Sequence, residues 1–186
     1  MMNLTHSKMT DWGFRQIQIS DDFAILDVGC GGGRTIGKLA ALAKAGKVYG
    51  VDYAKGSVAA SRAANSELIQ SGRVEIRQAS VSQLPFPADQ FNLVTAVETQ
   101  YYWPNLVEDM KEVLRTLKPG GMLIVLAETY AGGLTERFLR PLLKLIRAKT
   151  LSVAEPRELF ASAGYSDIQI IEERSHGWIC AMGRKP

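Results

Sequence analysis

Three glycines in one short turn constrain the fold of this chain more than any other feature of its sequence. Gly29, Gly31 and Gly33 directly follow an apolar run at residues 24–28 and precede a helical pattern that begins at Thr35. Glycine permits a sharp turn and lets a ligand approach the backbone closely, while free N–H groups at a helix start can hold a negatively charged group. The order of strand, glycine loop and helix therefore predicts a nucleotide-type binding turn.

Short apolar runs alternate with longer segments of helical period along the chain, which is typical of an α/β fold with a mostly parallel sheet. Continuous apolar runs at 24–28 and 122–127 predict central strands that are covered on both faces. The run 73–77 alternates charged and apolar residues, which favours an edge strand. Two runs at 168–171 and 178–182 are joined so closely that they must pair antiparallel. Further strands are predicted at 47–51 and 91–97, helices at 35–44, 57–70, 106–117 and 154–162, and a turn at 118–121.

Asp52 ends the second predicted strand, roughly twenty residues after the glycine loop. A carboxylate there can accept hydrogen bonds from both hydroxyls of a ribose, so loop and acid together indicate an adenosine-type ligand. A purely structural interpretation is also open, in which the glycines pack a tight turn and Asp52 caps the next helix. Among ligands, a nicotinamide dinucleotide and S-adenosylmethionine fit the loop and the acid equally well.

Five segments stand in a fixed order along the chain: ILDVGCGGG at 25–33, YGVD at 49–52, LPFP at 84–87, FNLV at 91–94 and VLRTLKPGG at 113–121. As an ordered set they resemble the motifs of class I S-adenosylmethionine-dependent methyltransferases, in which an acidic residue precedes the glycines. The resemblance implies a three-layer, Rossmann-like, doubly wound α/β sheet of seven strands in the order 3-2-1-4-5-7-6, with strand 7 antiparallel. A length of 186 residues fits one domain, so we expect a single cofactor-binding domain over residues 1–186.

The same resemblance implies which residues hold S-adenosylmethionine. The backbone around Gly29 would bind the methionine part beside Asp27, Asp52 would bind the ribose, and Tyr53 would pack against the adenine. Ser80 stands where the family often has an acidic residue near the adenine. The full implied set is Asp27, Gly29, Cys30, Gly31, Asp52, Tyr53, Ser80, Val81 and Glu98.

An aromatic run after the fourth predicted strand lies at the expected mouth of the site, because open α/β sheets bind ligands beyond the carboxyl ends of their strands. Tyr101, Tyr102 and Trp103 either line an acceptor pocket or simply cover the sheet end. Residues 132–150 form an insertion where methyltransferases often carry acceptor-binding elements. The basic helical pattern of this insertion fits an anionic acceptor, a membrane surface or a solvated face. Residues 10–13 either fold over the cofactor or serve only to pack the Trp12 side chain within the protein.

The charge and the residue counts argue against several other classes of protein. A net charge of +3 is too mild for the concentrated basic face of a nucleic-acid binder. No apolar run reaches the length of a membrane span and the N-terminus lacks a signal pattern, so we expect a cytoplasmic protein. The 2 cysteines are far apart and the 2 histidines lack partners at ligand-like spacing, so no metal site is expected.

These observations together predict an enzyme that holds a small-molecule acceptor in line with the methyl group, for which no nucleophilic side chain is needed. A general base matters only for an acceptor that must lose a proton, and Glu98 or Tyr101 would then be suitably placed. Two alternatives stay open at this point. One is a nicotinamide-dependent oxidoreductase, which shares the loop and the acid, and the other is a non-catalytic subunit that binds S-adenosylmethionine.

Overall fold

The computed structural model describes residues 2–128 and 155–186 of the chain. The strands in these ranges are β1 (Ala24–Val28), β2 (Lys47–Asp52), β3 (Val74–Gln78), β4 (Phe91–Val97), β5 (Leu117–Glu128), β6 (Ser166–Glu173) and β7 (Trp178–Arg184). They form one sheet in the order β3-β2-β1-β4-β5-β7-β6, in which β7 runs antiparallel to both β5 and β6. The predicted α/β class and strand order are therefore confirmed, as is the edge position of β3.

The helices of the described residues are α1 (Met2–Phe14), α2 (Arg34–Leu42), α3 (Lys55–Ala64), α4 (Ser66–Gln70), α5 (Leu106–Thr116) and α6 (Glu155–Ser162). The prediction of one helix over 57–70 is wrong, because Asn65 leaves the helical conformation with φ −118° and ψ 24°. The buried Asn65 amide donates instead to the carbonyl oxygens of Gly33, at 3.0 Å, and Ser61, at 2.9 Å. The break therefore ties α3 to the glycine loop.

Alternate residues of the central strands enter two separate apolar cores, one on each face of the sheet. On one face Ile25 and Leu93 pack in a core with side chains of α1, α2 and α3. On the other face Leu26 and Val94 pack in a core with side chains of α5 and α6. This alternation follows from the period of two in a strand, and it produces the three layers expected of the fold.

The prediction of a separate turn at 118–121 is also wrong, since these residues lie within β5. Leu117 already pairs with Phe91, and the register then shifts so that Leu93 pairs with Met122. The intervening residues form a bulge, for which Gly120 adopts a φ of 75°. The bulge lies at the opposite end of the sheet from the glycine loop and leaves the carboxyl ends of the strands regular.

Candidate functional site

The glycine loop between β1 and α2 has the backbone shape that its sequence predicts. Gly29, Gly31 and Gly33 have φ angles of 73°, 50° and 80°, in the left-handed region that glycine adopts without strain. The N–H groups of Gly29 and Cys30 both donate to the carbonyl oxygen of Val51, at 2.8 and 3.0 Å. A side-chain carbon at Gly31 would meet no atom within 4 Å. The loop is thus fixed to β2 on one side and open to a ligand on the other.

Asp52 is the last residue of β2 and only 8% exposed. Its carboxylate accepts two backbone N–H groups, that of Gly31 at Oδ2, 3.0 Å away, and that of Ala54 at Oδ1, 2.9 Å away. These bonds fix the carboxylate beside the glycine loop, and each oxygen retains a further acceptor position. A carboxylate held in this way can accept hydrogen bonds from both hydroxyls of a ribose.

A cleft of about 500 Å³ opens beside Asp52 at the carboxyl ends of the strands. Tyr53 and Tyr102 are 73% and 76% exposed, so two aromatic rings stand uncovered at the cleft, where a planar group can stack. Ser80 accepts the Ser82 N–H at 3.2 Å through its hydroxyl oxygen and can still donate its own proton. The cleft brings together most of the predicted residues, namely Gly29, Asp52, Tyr53, Ser80, Val81, Glu98, Tyr102 and Trp103.

A second cavity, of about 170 Å³, lies on the other side of Gly29, which lines both spaces. The remaining predicted residues Asp27, Cys30 and Gly31 line this smaller cavity. Sequence reasoning did not assign the rest of its wall, which consists of Ser7, Thr10, Gly32, Arg34, Thr35, Lys38 and Val97. The predicted cofactor-binding residues are therefore divided between two adjoining spaces.

A lysine of α2 forms hydrogen bonds that hold helix α1 beside the smaller cavity. The Lys38 ammonium donates to the carbonyl and hydroxyl oxygens of Ser7, both at 2.9 Å, across 31 positions of sequence. Thr10 lines the cavity, whereas Trp12 packs against Trp178 with ring centroids 6.0 Å apart. Thr10 thus lines the smaller cavity and Trp12 contacts a tryptophan of β7, while the role of this segment over a cofactor stays a prediction.

Two acids, the buried Asp27 and the half-buried Glu98, lie one in each space and have strongly perturbed pKa values. Burial raises the pKa of Asp27 to about 7, although the Thr95 hydroxyl donates to its Oδ1 at 2.6 Å and partly opposes the shift. Burial likewise raises the pKa of Glu98 to about 7, against the opposing effect of the hydrogen bond from the Glu128 N–H. Both acids are therefore close to half-protonated at neutral pH, and a nearby cation would favour their charged forms.

The three aromatic residues proposed for acceptor binding line different spaces. Tyr102 lies in the cleft, and Trp103 lies between the cleft and a small apolar cavity, since it lines both. Tyr101 lines the apolar cavity instead, and its hydroxyl donates to the carbonyl oxygen of Glu128 at 3.1 Å. Thr99, which sequence reasoning did not single out, lies so close to Gly29 that a side chain at Gly29 would overlap it.

The predicted acceptor-side insertion at 132–150 lies outside the described residues. Within residues 2–128 and 155–186, no group of three or more His, Cys, Asp or Glu side chains is arranged to hold a metal ion. No helix in those two ranges combines the length and the apolar character that crossing a membrane requires.

Comparison with known proteins identifies relatives of this chain. A family model described as "Methyltransferase domain" matches residues 26–125, which include the glycine loop and Asp52. The chain is 30% identical over 119 residues to methyltransferase GfsG of Streptomyces halstedii, a match that covers 63% of this chain and 42% of GfsG. It is 23% identical over 190 residues to the uncharacterized methyltransferase YdaC of Bacillus subtilis, covering 100% of this chain and 96% of YdaC.

The fold is also that of a solved enzyme structure. The geranyl diphosphate methyltransferase in complex with S-adenosylmethionine aligns with a TM-score of 0.79 at 13% identity, over 100% of this chain and 87% of that one. The chain spans 32% to 52% of the length of the first three curated relatives that it matches.

Proposed function

This chain belongs to the methyltransferase-domain family of class I S-adenosylmethionine-dependent enzymes, and from that premise we propose that it methylates a small-molecule acceptor with S-adenosylmethionine as methyl donor. The observation that carries the proposal is the Asp52 carboxylate, held by the N–H groups of Gly31 and Ala54 at the edge of the 500 Å³ cleft. A nicotinamide dinucleotide also fits a glycine loop and an acid, but the family match favours the methyl donor. The S-adenosylmethionine held by the geranyl diphosphate methyltransferase supports the same assignment.

In this proposal the cleft holds the adenosine and the smaller cavity holds the methionine part. Asp52 accepts the ribose hydroxyls, Tyr53 packs against the adenine ring, and the Ser80 hydroxyl meets the adenine edge. A hydroxyl can donate as well as accept, whereas the carboxylate common at this position in the family only accepts. Gly29 lies between the two parts of the cofactor, because it lines both spaces.

Asp27 and Glu98 receive distinct roles. S-adenosylmethionine, when bound, supplies a methyl group on a positively charged sulfur. Asp27 lines the cavity assigned to the methionine part, where its carboxylate pairs with an ammonium group. Glu98 lines the cleft on the side of Tyr102 and Trp103, where its carboxylate can accept a proton from an acceptor hydroxyl.

Calorimetry with S-adenosylhomocysteine, the demethylated product, tests the cofactor site. We expect micromolar binding by the wild type and a loss of about a hundredfold for Asp52→Asn, because the substitution removes the negative charge and turns one of the two acceptor oxygens into a donor, which weakens two hydrogen bonds by roughly 1.5 kcal/mol each. Asp89→Asn is the matched control, since it removes a carboxylate that pairs with Lys185 at the surface, and it should bind normally. Unchanged affinity in Asp52→Asn, or tighter binding of NAD than of S-adenosylhomocysteine, contradicts the ribose assignment.

Transfer of a labelled methyl group tests the activity itself. A set of small-molecule acceptors with hydroxyl, amine or thiol groups is incubated with the protein and labelled S-adenosylmethionine, and the label is followed into product. We expect label in at least one acceptor, and none with Asp52→Asn at the same cofactor concentration. Cofactor binding without any transfer would instead support a non-catalytic subunit.

A further inference from the structure

A small apolar cavity lies next to the cleft, on the face of the sheet that carries α5 and α6. Its volume is about 30 Å³, and carbon side chains of both helices and of strands β5 and β7 form most of its wall, among them Met110, Val125, Phe160 and Ile179. The described residues that line it include no charged side chain. A space of this kind accepts apolar groups and excludes ions, because an unpaired charge is costly to bury.

Gln100 contributes an amide side chain to this mainly apolar wall. It is 4% exposed, and neither its Oε1 nor its Nε2 has a hydrogen-bond partner within the described part of the chain. The hydroxyl of the neighbouring Tyr101 donates its hydrogen bond to the carbonyl oxygen of Glu128 and not to this amide. Burying a carboxamide without a partner is unfavourable, and native proteins seldom do so without a reason.

The cavity adjoins the place where an acceptor must lie if the proposed function holds. Trp103 lines both the cavity and the cleft, and Glu98, two positions before Gln100, lines the cleft. The short 3₁₀ helix Gln100–Tyr102 thus carries one residue at the cleft, Tyr102, and two at the cavity. Trp103 is therefore the residue that separates the cleft from the cavity that Gln100 lines.

We propose that this cavity is the closed end of the acceptor site, and that the acceptor is a mainly apolar, uncharged small molecule that presents one hydroxyl-type group to Gln100. A hydroxyl both donates and accepts, so it can pair with either atom of the amide. A water molecule needs about 10–15 Å³, so the cavity holds the hydroxyl-bearing end of the acceptor with its adjoining carbon atoms against the apolar wall, and the rest of the molecule extends toward Trp103. The inference rests on the proposed methyl transfer for its role, but the binding that it predicts is measurable without turnover.

Methionine NMR offers a direct readout, because Met110 lines the cavity while Met9 and Met182 are buried in the core on the other face of the sheet. The protein carrying ¹³C-methyl methionine is saturated with S-adenosylhomocysteine and titrated with phenol, with toluene and with benzoate. Phenol and toluene have nearly the same shape and differ in the hydroxyl, while benzoate is charged. We expect phenol to shift the Met110 signal, with the Met9 and Met182 signals unmoved, and benzoate to have no effect.

Gln100→Leu is the variant that separates recognition from packing. It should leave the affinity for S-adenosylhomocysteine unchanged, because Gln100 does not line the cleft. It should lower the affinity for phenol, relative to the affinity for toluene, by about tenfold. An unmoved Met110 signal in the wild type, or an equal phenol preference in both proteins, overturns the proposal and means that Gln100 serves only packing or a buried water. Failure of S-adenosylhomocysteine to bind refutes the proposed function instead, and the titrations are then judged on the cofactor-free protein.

Discussion

Binding of S-adenosylmethionine at pH 7 should release protons from the protein. Burial gives Asp27 and Glu98 pKa values of about 7, so each carboxyl is close to half-protonated before the ligand arrives. In the proposed binding mode the ligand would bring a sulfonium and an ammonium group into the spaces that these two acids line. An opposite charge at contact distance lowers the pKa of a carboxyl, so part of each proton must leave on binding.

The size of the effect follows from these pKa values. A fall of about one unit, at the low end of what a contacting charge produces, reduces the protonated fraction of each acid at pH 7 from about 0.5 to about 0.1. The two groups together then release about 0.8 protons. The same linkage makes affinity rise with pH, by about eightfold for each group between pH 5 and pH 8.

Calorimetry at pH 7 in buffers of different ionisation enthalpy counts the released protons directly. Asp27→Asn and Glu98→Gln should each remove about half of the release, while Glu108→Gln, which changes an acid that is 69% exposed, should remove none. S-adenosylhomocysteine lacks the sulfonium charge and should release fewer protons than S-adenosylmethionine. Equal proton counts for the wild type, Asp27→Asn and Glu98→Gln would refute the reasoning, since any titration of the ligand itself is common to all of them.

Two further predictions concern stability. Burial raises the pKa of Glu98 above its value in the unfolded chain. The protonated carboxyl therefore makes its full contribution to the free energy of unfolding below about pH 4.5, and this contribution is lost as pH rises through about 7. The thermal midpoint of the ligand-free protein should therefore fall between pH 5 and pH 8, and Glu98→Gln should flatten that fall in scanning calorimetry; a steeper fall would contradict it. Gly29→Ala should lower the free energy of unfolding by clearly more than Gly72→Ala in urea denaturation. Both glycines have a φ near 75°, which costs about 1–2 kcal/mol for alanine, but only Gly29 would also meet Thr99, so equal losses would argue against the close contact.

Much of the fold was predictable because it depends on local patterns. The apolar runs at 24–28 and 122–127 are buried on both faces in the structure, and the alternating run at 73–77 lies at the edge. The helix break at Asn65 was not predictable, because the Asn65 side chain donates to a carbonyl oxygen 32 positions away along the chain. Periodicity measures only neighbours along the chain and contains no signal for such a bond.

The residues of the candidate site that lie at strand ends were predictable from the sequence, whereas the other residues that line its two spaces and the apolar cavity were not. Asp52 and the glycine loop follow directly from the order of strand, loop and helix, and the structure places them in contact. Lys38 lines the smaller cavity only because α1 folds back over α2, which no local spacing encodes. Gln100, which precedes three aromatic residues, could not be singled out from the sequence. Its distinguishing feature is that its buried amide lacks a hydrogen-bond partner among the described residues of the folded chain.

The backbone of Gly29 forms a shared wall between the cleft and the smaller cavity. A displacement of this one residue would enlarge one space at the expense of the other, so a change that suits one end of a ligand spanning both spaces would also alter the space for the other end. Substitutions on the Tyr102 and Trp103 side leave that wall untouched. Under the proposed function, the spaces on either side of Gly29 would hold a cofactor of constant shape, and the lining on the Tyr102 and Trp103 side would be where acceptors of different shape are accommodated.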